Sequence, residues 1–299
     1  MENSVKNSKW MLIGSMLMFG TIGIFRRHIP LSSSVIALAR AVLGTLFLLL
    51  LMAAKGSRPS VKAVTANLPA LLVSGVLIGF NWILLFEAYQ YTSVAVATLC
   101  YYTAPVLVIL VSPIFLKEKL TGKKLVCVAA ALVGMALVSG VAGADITGGS
   151  GNSNSEWKGI LLGLGAAALY AAIMILNKRI RDIPAIDKTV VQLAAAALVL
   201  FPYTWLTEDI SAIRLTPVVG LLLVIVGVVH TGIGYAMYFG SMKALRAQTV
   251  ALFSYIDPVT AIILSALLLN ERMGAAQMAG AVLILCAAIA GDMPEKVQR

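Results

Sequence analysis

Charge is scarce in this chain. Only 12% of its 299 residues are Asp, Glu, Lys or Arg, while 60% are hydrophobic. Soluble domains run at about 25% charged and about 45–50% apolar. A soluble fold of this length could not cover that much apolar mass with so few charges, so lipid is the expected solvent. Acidic residues are the rarer sign, 13 against 23 Lys and Arg. The resulting net charge of +10 would suit nucleic acid, but the basic residues sit in short clusters between apolar runs. That arrangement is the topology signal of a membrane protein, and no nucleic-acid partner is expected. The three cysteines, Cys100, Cys127 and Cys286, each lie inside an apolar run with no close pair. Their spacing supports neither a disulfide framework nor a zinc site. His28 and His230 are the two histidines, too few for a metal helix, and no metal or cofactor is expected. No HExxH, no Gly-x-Ser-x-Gly and no phosphate-binding loop is present, which argues against an enzyme and against an ATP-driven motor.

What fills the chain is Leu, Ala, Val and Ile in long runs. A spanning helix needs about 20 mostly apolar residues. The runs predict helices near 10–26, 33–54, 67–89, 93–116, 123–142, 157–177, 188–206, 216–240, 246–269 and 275–292. The first follows Lys6 and Lys9 in the manner of a signal peptide. Arg26, Arg27 and His28 follow it with no small-residue cleavage site, so it counts as a span. A Gly/Ser/Asn-rich stretch over 143–156 reads as a flexible linker. It separates a first unit, 1–142, from a second, 157–292, with a tail at 293–299. With both termini on the cytoplasmic side of the cell membrane, the inside segments hold 17 Lys and Arg and the outside segments 5, with Arg40 left inside a helix.

The two units resemble each other. Tyr102 matches Tyr255, Pro105 matches Pro258, Glu118 matches Glu271 and Phe86 matches Phe239, all at one offset of 153 residues. Trp10 and Trp157 open the units at a slightly different offset. Each unit holds five predicted spans, an odd number, so the second must enter the membrane from the opposite side. The expected fold is all-α, ten transmembrane helices as two inverted five-helix repeats around a central cavity, the arrangement of many secondary transporters.

The duplicated proline followed thirteen residues on by glutamate, together with FEAYQYTSVAVATL from Phe86, resembles the EamA family of the drug/metabolite transporter superfamily. The likeness runs over nearly the whole chain. It implies a central cavity lined by both halves and transport of small metabolites such as amino acids.

Ionisable groups inside a bilayer are costly and mark function by default. Four stand in the apolar runs: Arg40, Glu87, His230 and Asp257. Asp257 precedes Pro258 in what reads as mid-helix, where a proline frees a carbonyl; its repeat position is Ala104, so the repeat does not demand an acid there. It could bind a substrate amine, carry a proton, or be a buried acid bonded to a neighbouring helix. Arg40 either holds a substrate carboxylate or forms a structural ion pair with Glu87 or Asp257. Glu87, near the outer end of its helix, is a gating or coupling candidate or a solvated helix-end acid. His230 is a titrating or a packing residue. Tyr101, Tyr102, Tyr235, Tyr255, Tyr170, Asn81 and Trp82 supply aromatic walls and neutral hydrogen bonds, or simply pack. Pro105 and Pro258 are expected helix kinks. Glu118 and Glu271 read as loop anchors, and GVLIG from Gly75 as a close-packing motif. The expected protein is a secondary carrier of a small polar metabolite, proton-coupled or exchanging, working as monomer or homodimer in the bilayer; an intramembrane enzyme or a channel is the alternative.

Overall fold

A computed structural model describes residues 2–92, 97, 100–138, 153–209, 213–268 and 274–293. The described residues are helical throughout, joined by short turns. In chain order the helices are α1 (Glu2–Arg27), α2 (Ser33–Ala54), α3 (Val61–Tyr91), α4 (Ala104–Leu116), α5 (Gly122–Val138), α6 (Ser153–Arg179), α7 (Ala185–Thr207), α8 (Pro217–Ile225), a π-helical stretch (Val226–Ile233), α9 (Gly234–Ser241), α10 (Ala247–Phe253), α11 (Ile256–Leu268) and α12 (Ala275–Asp292). Helix α6 begins at Ser153, inside the stretch expected to be linker, and α3 begins at Val61, well before the expected 67.

Among the described residues, six segments are long and apolar enough to cross a membrane: Ser4–Arg26, Ser33–Ala54, Val61–Ala88, Trp157–Arg179, Ala185–Thr207 and Pro217–Ser241. Ala104–Leu116 and Met278–Gly291 are shorter apolar helices. The outward faces carry large hydrophobics in full view, among them Leu206 at 83% and Ile114 at 76% exposure. Meanwhile Ser74, Asn177 and Gln192 are buried. Asn177 donates to Ser74 at 2.9 Å, and Gln192 donates to Ser74 at 2.8 Å and to Asn177 at 3.0 Å, tying α3, α6 and α7 by an internal polar network. Apolar outside and polar bonds inside is the logic of a bundle solvated by lipid.

Packing pairs repeat when the two units are exchanged. α3 lies against α6 as α1 lies against α9; α3 against α7 as α2 against the π stretch; α1 against α11 as α4 against α6. The pairs α2–α7 and α5–α12 map onto themselves. Small residues allow these approaches. A Cβ on Gly75 would sit 2.5 Å from the Gln192 carbonyl, and one on Gly79 3.1 Å from Val199, so GVLIG is the α3–α7 seam.

The prolines do not kink continuous helices. Pro105 falls in the first turn of α4 and Pro258 in that of α11, each just after a turn, at Tyr102–Thr103 and Ser254–Tyr255. First-turn amides have no intrahelical acceptor, so proline costs nothing there. Both helices break before the proline. Asp257 therefore lies at a helix N-terminus, where the dipole favours a carboxylate, and not in mid-helix.

Candidate functional site

The site is built where α11 and the Tyr101–Tyr102 segment meet. The Tyr255 hydroxyl donates to the Tyr102 carbonyl at 2.9 Å, and the two rings lie 6.3 Å apart. These residues are equivalent under the 153-residue offset, so the halves touch here through matching positions. The bonding around them is not symmetric. The Tyr102 hydroxyl donates to Asp257 at 3.1 Å, whereas Tyr255 faces Ala104's half, which offers no carboxylate, and takes a backbone carbonyl.

Asp257 is fixed by a close helix crossing. A Cβ on Gly20 of α1 would fall 2.5 Å from the Thr260 Cβ and 2.7 Å from the Asp257 carbonyl. Only glycine lets α1 lie this tightly on α11. Tyr255, Pro258 and Val259 around it are buried, yet Asp257 is only half-buried.

From Asp257 a chain of ring contacts runs across the bundle. Tyr102 meets Tyr101 at 5.7 Å, Tyr101 meets Tyr170 at 5.6 Å, and the Tyr170 and Tyr238 hydroxyls share a 2.6 Å hydrogen bond. Phe19 of α1 bridges Tyr238, at 6.1 Å, to Tyr235, at 5.3 Å. Tyr235 meets Trp82 edge-on at 6.0 Å, and the Arg40 guanidinium stands 4.9 Å over the Trp82 ring. Such a stacked cation is worth about 0.5–2 kcal/mol. Asn81 donates to the Ala166 carbonyl at 2.6 Å and accepts from Tyr101 at 3.5 Å. Arg40, Tyr101, Tyr102, Tyr170 and Tyr235 are, like Asp257, half-buried.

Arg40 pairs with neither expected acid. Its Nε donates to Thr231 at 3.0 Å, while Glu87 accepts from Tyr203 and Asp257 from Tyr102. The guanidinium stays within electrostatic reach of Asp257, Tyr101 and Tyr235. Thr231 is presented by the π stretch and itself donates to the Val226 carbonyl at 3.0 Å. π segments close their backbone hydrogen bonds one residue further along the chain than the α-helix and frequent functional sites. His230, the residue before it, points elsewhere: it shares a 2.7 Å bond with Thr21 and meets Phe25 edge-on at 4.9 Å. Glu87 and His230 therefore stand apart from the Arg40–Asp257 chain, and the other candidates are joined in it. Sequence reasoning missed Phe19, Thr21, Thr231, Tyr203 and Tyr238. Only Tyr238 left a trace, three residues after Tyr235 and so on the same helix face.

Glu118 is an anchor, as read. Its two oxygens accept the backbone N–H groups of Ala247 at 2.7 Å and Gln248 at 3.2 Å, the first residues of α10. Gln248 in turn donates to Ser112 at 2.6 Å and accepts from Lys124. The matching Glu271 lies outside the described residues, as does most of the expected 143–156 linker.

A multi-pass helical bundle with a polar, aromatic-lined interior and a lipid-facing exterior is the design of a membrane transporter. The family comparison agrees: the EamA-like transporter family matches residues 8–140 and again 157–290. The chain belongs to that family and is a membrane transporter. It is 30% identical over 275 residues to the uncharacterized transporter YxxF of Bacillus subtilis, covering 91% of this chain and 85% of that one. It is 28% identical over 179 residues to a probable amino-acid metabolite efflux pump of Salmonella typhimurium, covering 56% and 57%. A solved crystal structure shares the fold, with a TM-score of 0.82 at 17% identity, over 95% of this chain and 97% of that one.

Proposed function

We propose that this transporter is a secondary carrier that moves a small polar metabolite, an amino acid or related amine-containing compound, across the cell membrane by alternating access. Its halves, residues 1–142 and 157–292, each cross the bilayer five times in opposite senses, with both termini and the 293–299 tail cytoplasmic. It works as a monomer or homodimer, by proton coupling or by exchange.

The observation that carries this reading is the Tyr102–Tyr255 contact beside Asp257. Equivalent residues of two repeats touch where the halves meet, which is where inverted-repeat carriers place their substrate. Arg40 and Asp257 at the two ends of one aromatic chain suit the carboxylate and the amine of a zwitterion. Neither is hydrogen-bonded to the other, so each can meet its own ligand group. The printed name of the Salmonella relative points to the same substrate class. Asp257 serves as the amine site or proton carrier, with Tyr102 orienting it; Arg40 serves as the carboxylate site, with Trp82, Tyr235, Tyr101 and Asn81 as walls. Glu87 on Tyr203 is assigned to coupling or gating near the outer end of the path, and His230 on Thr21 to the substrate path near mid-span.

The test is counterflow in liposomes preloaded with an unlabelled amino-acid mixture, followed with each labelled amino acid in turn. Saturable uptake is expected for at least one. Asp257→Asn is expected to lower that uptake by about tenfold or more, the weight of one charge-assisted contact of about 1.5–3 kcal/mol, while unfolding at the wild-type temperature. Absence of counterflow with every amino acid and amine would sink the substrate assignment, and full transport by Asp257→Asn would remove Asp257 from the site.

A further inference from the structure

Residues 115–118, 177–188 and 239–243 enclose a cavity of about 600 Å³, a size that holds small ligands. The ends of α4, α6 and α9 and the start of α7 form its walls. Six cations line it: Lys117, Lys178, Arg179, Arg181, Lys188 and Lys243. Two acids, Glu118 and Asp182, also line it, but the Glu118 carboxylate is occupied by the Ala247 and Gln248 amides.

Basic residues at cytoplasmic helix ends are an ordinary topology signal. That accounts for the rim, where Lys243 is exposed. It does not account for Lys188, which is 5% exposed. Its ammonium has three donors and finds the Phe239 carbonyl at 3.1 Å. The charged neighbour acting on it is Lys178, a like charge. Lys178 also reaches inward, donating to the carbonyls of Met242 at 2.8 Å and of Leu245. A buried charge is normally paired; Lys188 has only a carbonyl and a like charge beside it, and Lys178 shares its one acidic neighbour, Glu118, with two backbone amides, which leaves room for an anion between them. At the 153-residue offset the positions of Lys178 and Lys188 are held by Phe25 and Val35, which pack in the apolar cluster around Ile29 and Ile36.

The cavity also abuts the site described above. Phe239, in its wall, meets Tyr235 edge-on at 5.3 Å, and Tyr235 meets Trp82 beneath Arg40 in the same way. We propose that this cavity is an anion site on the cytoplasmic face, in which Lys188 and Lys178 hold the carboxylate or phosphate oxygens of a metabolite before it passes to Arg40. The direction of passage rests on the carrier reading; the binding of an anion does not.

The test uses the full chain in phosphatidylcholine nanodiscs and follows thermal unfolding with inorganic phosphate or acetate replacing chloride at constant ionic strength. A ligand of the folded state raises its stability, so a saturable rise is expected with at least one of the two. Lys188→Met should raise the half-saturating concentration by about tenfold, and Lys188→Arg should restore it. Should Lys188→Met fail to fold, Lys243→Gln at the rim is expected to weaken the response by about twofold, and an unchanged response would count against the site. No saturable response in wild type, or an equal one in a folded Lys188→Met, overturns the proposal. Phosphatidylglycerol discs supply the other source of phosphate: if they stabilise wild type, abolish the response to free anion and do neither in Lys188→Met, the occupant is a lipid headgroup and the passage to Arg40 is overturned. Normal counterflow by Lys188→Met likewise overturns passage and leaves the carrier reading intact. An anion response in a protein without counterflow does the reverse.

Discussion

Removing the Glu118 carboxylate tests how the two halves are joined. Each oxygen takes one backbone N–H of α10, at 2.7 and 3.2 Å. These are among the first amides of that helix, which have no partner of their own. A hydrogen bond to a charged group is worth about 1.5–3 kcal/mol and a neutral one about 0.5–1.5 kcal/mol. Glu118→Gln keeps one acceptor, weakened, and turns an NH₂ toward the second amide. Glu118 is half-buried, so water softens the loss, and the helix dipole adds a few tenths of a kcal/mol in the same direction. The sum is about 2 kcal/mol, or about thirtyfold in an equilibrium that breaks this contact. In detergent, thermal unfolding should fall by about 4–8 °C. Glu118→Asp should behave no better than Gln, because one methylene less cannot keep both oxygens against Ala247 and Gln248. An unfolding temperature within about 1 °C of wild type for Glu118→Gln would refute the reasoning, since about 1 °C is worth well under 1 kcal/mol.

The paired tyrosines should respond unequally. Tyr102→Phe removes the donor to Asp257 and is expected to lower transport by about tenfold, whereas Tyr255→Phe loses one neutral bond and about 1 kcal/mol of stability with transport largely retained; equal transport losses would contradict the asymmetry. Gly20→Val places a side chain against Thr260 and the Asp257 backbone, and overpacking of this kind costs about 1–3 kcal/mol or more. Its folded yield, read by size-exclusion chromatography, should fall sharply, and a wild-type yield would show that α1 and α11 need not lie so close.

How much of this was legible in the chain differs from residue to residue. The apolar runs located the long helices because a lipid-facing helix needs no polar face, and the family match over both halves agrees with the duplicated Pro–Glu pattern. Asp257 and Arg40 stood out because each is a lone charge among apolar neighbours. Their partners did not. Arg40 bonds Thr231, which is 191 residues away, and a threonine in an apolar helix carries no signal. The π stretch is equally silent: nothing in VGVVHTGI distinguishes a turn of five from a turn of four. Pro258 marked a disturbance, but a proline is compatible with a kink or with a fresh first turn, and only the fold chooses between them. Lys188 was counted as one more basic residue near a loop, since sequence position cannot tell a snorkelling lysine from a buried one.

The contact of Tyr102 with Tyr255 has a consequence for traffic. Two equivalent residues can touch only on the axis that exchanges the halves, and a feature on such an axis exists once where everything off it exists twice. The chain then breaks even that symmetry by setting one carboxylate beside the pair and none opposite. A molecule arriving from either side of the membrane would meet the same single seat. If the carrier proposed above is right, passengers from the two sides take turns there, and each side's supply competes with the other's.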